Sequence, residues 1–273
     1  MSRLLALLAL VQIGTAAAAD IVQPGEERFT FMLGAFLPAF RSDMKVDNDR
    51  TPGDRFNLGD DLGVDENTSG AWLGAEWRFA PRHRLGFTYS RFTLRGERSI
   101  DRQLQIGGNT YPVGADLNTQ LRLEIVPITY SYSLMKRAED ELALTAGLHW
   151  SRLSFRVEGS ATLASRNGSR DESVSANVPL PLLGLRYDHN FSERWSAGAG
   201  LGVFSLSYGE EVTHYKGSLV SLRVHGEYRF AKNWGVGAAV DGFQVKIEAD
   251  QEAWRGGFDY RYWGPQVYLT ARF

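Results

Sequence analysis

The chain has 273 residues, 43% hydrophobic and 12% aromatic, with 29 Gly, no Cys and a formal net charge of −2. That charge excludes the strongly basic footprint of a nucleic-acid binder. The missing Cys excludes thiol catalysis, thiolate metal sites and disulfide staples.

Met1 to Ala19 carries one positive charge (Arg3), an apolar run Leu4–Val11, and small residues Ala16 to Ala19 before Asp20. That order is the charged, apolar and small-residue pattern of a secretory signal peptide. The apolar run falls short of the ~20 residues that a spanning helix needs. Residues 1–19 are therefore expected to be removed and residues 20–273 to form one domain. No apolar run of ~18 residues follows, so no helix is expected to cross a membrane.

Beyond the leader the apolar residues come in strand-length pieces. The first is Phe29–Phe40. Four pairs follow, each joined by a short polar turn: Leu73–Phe79 with Leu85–Tyr89, Val126–Leu134 with Leu142–Trp150, Leu183–Tyr187 with Trp195–Val203, and Leu222–Phe230 with Trp234–Val240. Tyr260–Phe273 ends the series, which predicts ten strands, with eight or twelve as the neighbouring counts. Longer polar segments separate the pairs: 41–68, 96–118, 159–173, 209–216 and 249–256.

Within these pieces apolar residues alternate. Leu73, Ala75, Trp77 and Phe79 share one face and Gly74, Glu76 and Arg78 the other; Val220, Leu222, Val224, Tyr228 and Phe230 oppose Ser221, Arg223, His225, Glu227 and Arg229. A period of two means strands with one face against apolar surroundings. The phase slips near Arg91, Val126, Ser151 and Asp241. Either a bulge or the exit of a strand from a membrane would produce such a slip.

A soluble sandwich would also alternate. Two features favour a barrel in lipid. The polar face is Gly, Ser, Thr and isolated opposite charges, which suits a narrow interior. Aromatics also crowd the short turns: Trp77, Phe79, Tyr130, Tyr132, Tyr187, Phe191, Trp195, Tyr228, Phe230 and Trp234. Such rings gather at a membrane–water boundary. Short turns at one end and long polar loops at the other complete the layout of an antiparallel, closed, up-and-down transmembrane β-barrel.

The last strand ends on Phe273, with Ala271, Leu269, Val267 and Pro265 alternating back from it. It resembles the terminal strand of the small bacterial outer-membrane β-barrel superfamily, although Ala271 stands where a second aromatic is common. The resemblance implies an outer-membrane location, termini on the periplasmic side, and contact with lipid and lipopolysaccharide. It also implies that Phe273, with Leu269 and Val267, is read by the barrel-assembly machinery.

Glu76, Arg78, Arg122, Glu124, His149, Arg186, Asp188, Arg223, His225, Glu227, Arg229 and Arg272 fall on faces expected to point inward. They would form a selectivity filter or a mutually paired filling. Barrels near eight strands have interiors just filled by side chains, whereas open porins need about sixteen, so a paired filling is expected. The first loop is acidic, and Asp47, Asp49 and Asp54 weakly suggest a calcium site, but the bidentate Glu of a calcium loop is missing. No cofactor is expected. For hydrolysis, Glu210, Glu211, His214, Ser218, His149 and the pair Asp188-His189 are the candidate residues, but no nucleophile–base motif is present. The expectation is a non-enzymatic barrel, structural or a narrow conduit. A hydrolase acting on lipid or peptide at the rim and a loop-mediated adhesion protein are the alternatives.

Overall fold

The computed structural model describes residues 25–47, 53–106, 109–163, 166–210, 213–251 and 254–273. The expected leader, Met1 to Ala19, lies outside them. The described strands are β1 (Phe29–Phe36), β2 (Ala39–Val46), β3 (Arg55–Asn57), β4 (Gly70–Ala80), β5 (His83–Ser99), β6 (Leu104–Ile106), β7 (Asn109–Tyr111), β8 (Asp116–Lys136), β9 (Asp140–Leu163), β10 (Arg166–Asn190), β11 (Trp195–Glu210), β12 (Thr213–Arg229), β13 (Trp234–Gln251) and β14 (Trp254–Arg272). Ten of them form a closed antiparallel ring in the order β1-β4-β5-β8-β9-β10-β11-β12-β13-β14. The seam is β1 on β14, with Thr30 opposite Arg272 and Phe36 opposite Gln266. Phe273 finishes it by exchanging hydrogen bonds with Phe29.

The strands run much further than their lipid-type alternation suggested. The segments read as loops at 159–173, 209–216 and 249–256 lie largely within paired strands. Strand β9 shows why. From its short-turn end, Leu142, Leu144, Ala146, Leu148 and Trp150 share one face, and Glu141, Ala143, Thr145, Gly147, His149 and Ser151 share the other. Further along, the first face carries Arg152, Ser154, Arg156 and Glu158, and the second carries Leu153, Phe155 and Val157. Trp150 is 42% exposed and Phe155 0%. The register with β8 is continuous across this switch, from Tyr130 opposite Ala146 to Leu117 opposite Gly159. The slips at Val126, Ser151 and Asp241 are thus not bulges. Side chains keep pointing the same way while apolar character moves from the outer face to the inner. The slip near Arg91 has the same form: Leu85 and Phe87 point out, Phe92 and Leu94 point in.

The barrel accordingly has two zones. Near the short turns, its outer surface is an apolar band of about nine residues per strand, the length that crosses a hydrocarbon core. Near the long loops, apolar side chains fill the inside. Leu121, Leu123, Ile125, Leu153, Phe155, Val157, Val245, Ile247, Phe258 and Tyr260 line that upper wall.

The first two loops fill this space. The expected single strand Phe29–Phe40 breaks at Leu37-Pro38, where proline has no N–H to give, and resumes as β2, so the wall extends into what was read as loop. Strand β3 pairs with β2. The returning segment then stands between β2 and β5: Phe40 N donates to Glu66 O at 2.7 Å, and Asp65 N to Arg95 O at 2.9 Å. Gly63 turns the chain there at φ +66°, in the left-handed region that favours glycine. Phe56, Leu58, Leu62 and Val64 point inward from this segment. Leu104, Ile106 and Tyr111 come from the β6–β7 hairpin in the second loop, and all seven are buried. The two loops are tied by Asp61 and Arg102, bonded in two places at 3.0 and 2.9 Å. Burial raises the Asp61 carboxyl, but hydrogen bonds and charge from Arg102 outweigh it and hold that carboxyl below its ordinary value.

Candidate functional site

The interior of the lower zone holds most of the charges expected there. Glu141 accepts two hydrogen bonds from Arg78, at 3.1 and 2.8 Å, and one each from Arg84 and Ser133. Arg84 also donates to Glu76 at 2.9 Å. Glu76 accepts from Arg186 at 3.0 Å, and Arg186 reaches Asp188 at 2.6 Å. Asp188 lies 3.4 Å from His225. Strands β4 and β10 are not neighbours in the ring, so the Arg186–Glu76 pair crosses the lumen. A second cluster joins Arg223 to Asp241 and Gln266, both at 2.9 Å. A third joins Glu227 to Tyr268 at 3.0 Å and to Arg272. Arg229 donates to the Glu193 carbonyl at the short-turn end, at 3.1 Å.

Among the described residues this interior holds seven arginines (Arg78, Arg84, Arg137, Arg186, Arg223, Arg229, Arg272), Lys136 and six carboxylates (Glu27, Glu76, Glu141, Asp188, Glu227, Asp241), with Lys136 and Arg137 at the short-turn end. Their pairing follows from the low local dielectric, where an unpaired ion costs several kcal/mol. Glycine on the inward faces gives these side chains room. A Cβ on Gly198 would fall 2.4 Å from Asp188 Oδ1, and one on Gly237 2.3 Å from the Tyr268 ring. The cavity left among the charged groups is about 340 Å³.

Above the charges lies an aromatic layer that the alternation pattern did not reveal. Phe36 and Phe40 each pack on both Phe92 and Tyr262, with ring centroids 5.3 to 5.7 Å apart. Phe243 stacks on Tyr262 at 5.2 Å and on His149 at 4.3 Å. Arg223 lies beneath, its guanidinium 5.0 Å from the Trp72 ring centre. These rings come from β1, β2, β5, β9, β13 and β14, so they form a septum between the ionic lower lumen and the loop-filled upper zone.

The structure departs from two of the expectations. Arg122 and Glu124 do not point into the lumen. They lie on β8 beyond the apolar switch, so their even-numbered face, expected to be inward, is the outward one, and Glu124 pairs there with Arg91 at 3.6 Å and Arg152 at 3.4 Å. The candidate pair Asp188-His189 is divided by the strand: Asp188 faces the lumen, while His189 bonds Asp140 at 2.8 Å by the short turns. Arg84, Glu141, Asp241, Gln266 and Tyr268 belong to the interior and were missed. Arg84 and Glu141 adjoin turns, and Asp241 marks a phase slip, which was the available signal.

Of the acidic candidates, Asp47 accepts from Gly53 N and pairs with Lys45, Asp54 accepts from Gln105 N, and Asp49 lies outside the described residues. The side chains of Glu210, Glu211 and His214 also lie outside them; Ser218 is half-buried on β12. Trp77, Phe79, Tyr130, Tyr132, Tyr187, Phe191, Trp195, Tyr228, Phe230 and Trp234 share the outward side near the short turns. They touch in places, as Trp195 does Tyr228 at 4.7 Å. Leu269, Val267 and Phe273 also face outward.

No family model matches the chain, and no curated protein does. Among solved structures it is similar to the outer membrane protease OmpT from Escherichia coli, at 14% identity with a TM-score of 0.57, over 90% of this chain and 96% of that one. The chain folds as a bacterial outer-membrane β-barrel. The barrel also aligns with the toluene transporter TodX of P. putida, at 12% identity and TM-score 0.35 over 93% of both chains. A further alignment is with the attachment invasion locus protein Ail of Yersinia pestis, at 11% identity and TM-score 0.28, over 88% of this chain and 97% of that one.

Proposed function

We propose that this barrel is a closed, non-enzymatic structural element of the bacterial outer membrane, with the long loops outside and the termini in the periplasm. The aromatic septum carries the reading: a solute entering from the short-turn end meets a lumen crossed by Arg186–Glu76 and then stacked rings. The ion pairing across the lumen supports it, since side chains that hold one another fill a narrow interior. The outer face contacts lipid and lipopolysaccharide, the assembly machinery is its partner during insertion, and no cofactor is needed. Purified protein in planar bilayers should show no stable conductance. Steady, ion-selective steps would overturn the closed reading in favour of a conduit.

A second reading has one observation in its favour. The strands continue past the lipid band into an upper zone with its own apolar core, a rigid stand for loops that bind a partner. Loss of cell or matrix attachment on replacing 159–173, with the barrel intact, would support it.

A further inference from the structure

We propose that the slot between β10 and β11, on the loop side of the apolar band, takes up an extended strand of another polypeptide, which adds antiparallel to the free edge of β11. This rests on the orientation proposed above, with the long loops outside, so the partner is a cell-surface or extracellular chain.

Strand β10 pairs with β9 from Arg166 to His189, but with β11 only from Leu183 to Asn190. Strand β11 pairs with β12 as far as Glu210, yet it loses β10 after Val203. The cause is local. Along an antiparallel strand, main-chain groups turn alternately to one neighbour and the other. Asn190 N donates to Glu139 O, toward β9, and Phe191 N donates to Trp195 O, toward β11. The odd-numbered N–H groups of β10 therefore serve β11. The next two in line past Leu183 belong to Pro181 and Pro179, which have no N–H to give. From there the two strands part. By the same alternation Ser205, Ser207 and Gly209 of β11 turn their N–H and C=O groups into the slot. Among the described residues no strand meets them.

Elsewhere the chain closes such a parting itself. Between β2 and β5 a single extended segment, 64–67, bonds to both edges, with Phe40 N donating to Glu66 O and Asp65 N to Arg95 O. Among the described residues nothing does this between β10 and β11. A row of evenly spaced main-chain donors and acceptors is matched by another main chain. The walls of the slot set the partner's side chains. Leu180 and Leu219 are buried at its floor, and Phe204 packs half-buried on the same core, so inward residues of the partner must be apolar. Arg152 and Lys216, one strand back on either flank, are exposed, so acidic residues suit its outward face.

The test holds the full chain in phosphatidylcholine nanodiscs and adds a library of fluorescent octapeptides, with Val, Ile or Phe at alternate positions and Glu, Asp or Thr between. Anisotropy should select members that bind at micromolar concentration. N-methylation of every second residue keeps their side chains but removes the N–H groups of one edge; one of the two patterns should weaken binding at least tenfold. The double variant Ser205→Pro, Ser207→Pro removes donors that the β11–β12 ladder does not use. It should lose binding to the same degree while staying heat-modifiable, and Ser205→Thr, Ser207→Thr should bind as the native chain does. Pro179→Thr, Pro181→Thr restores the donors of β10, lets it pair with β11, and should also lose binding. No selected peptide at millimolar concentration, no effect of either methylation pattern, or full binding by both proline-site variants would overturn the proposal. So would two barrels per disc in the native chain and one in Ser205→Pro, Ser207→Pro, which would make the occupant a second copy. Cleavage within 41–68 by protease added to intact cells tests the orientation separately, so the failures are distinguishable.

Discussion

The lower and upper zones of this barrel use one continuous wall in opposite ways. Below, β9 turns Leu144 and Leu148 outward to lipid and Glu141 inward; above, it turns Arg152 and Arg156 outward and Phe155 and Val157 inward. Neither strand register nor side-chain direction changes between them. What changes is the medium on each side. Where lipid lies outside, polar groups must go inside and pair. Where water lies outside, the interior becomes an ordinary apolar core, and the first two loops fold in to complete it. The hydrophobic effect thus stabilises the upper zone, whereas packing and ion pairing stabilise the lower one.

Substitutions chosen in matched pairs can break that comparison. Phe155→Ala, at a fully buried position of the upper core, should cost ~3–5 kcal/mol. Proteolysis within 53–68 should then quicken while the lower barrel keeps its heat-modifiable mobility. If both zones melt together, they are one cooperative unit. Glu141→Gln leaves Arg78 and Arg84 without their shared anion and should cost a similar ~3–5 kcal/mol, typical of a broken buried pair. Denaturant unfolding in micelles measures it, and an unchanged midpoint would mean the lower lumen is well hydrated.

Leu144→Arg places a charge in the lipid-facing band and should cost ~2–4 kcal/mol in vesicles. Its counterpart Arg156→Leu, on the same face of the same strand, should stay within ~0.5 kcal/mol. Equal costs would put the band in the wrong place. A small effect is also expected at Asp61→Asn, which loosens an exposed ion pair worth at most ~1 kcal/mol. Because the folded Asp61 carboxyl titrates below its ordinary value, its contribution is present above about pH 4. It fades as pH falls through the lower, folded value. Loop protection from protease should decline in that acid range in the native protein and be flatter with pH in Asp61→Asn.

The sequence shows the lower zone almost residue by residue, because lipid demands strict alternation over every strand. Leu73, Ala75, Trp77 and Phe79 could not serve any other face. It shows the upper zone only as a fault in that pattern. At Ser151 and Asp241 the apolar phase shifts, and a reader following lipid-facing residues ends the strand there and calls the remainder loop. The misplacement of Arg122 and Glu124 has the same origin: on β8 they belong to the polar side, but beyond the switch that side faces water.

By itself the sequence pointed to about ten strands, and it determined the closed antiparallel class, the short-turn end with its aromatics, and the presence of opposite charges on the inner face. Each of these is a local consequence of period-two patterning along a single strand. Only the tertiary structure decided which charges meet, since Arg186 and Glu76 lie 110 residues apart and join across the ring. It alone showed that Phe36, Phe40, Phe92, Phe243 and Tyr262 converge into a septum, and that two polar-looking loops carry the core of the upper zone. Those contacts depend on barrel closure and stagger, which are set by all ten strands together and are written in none of them singly.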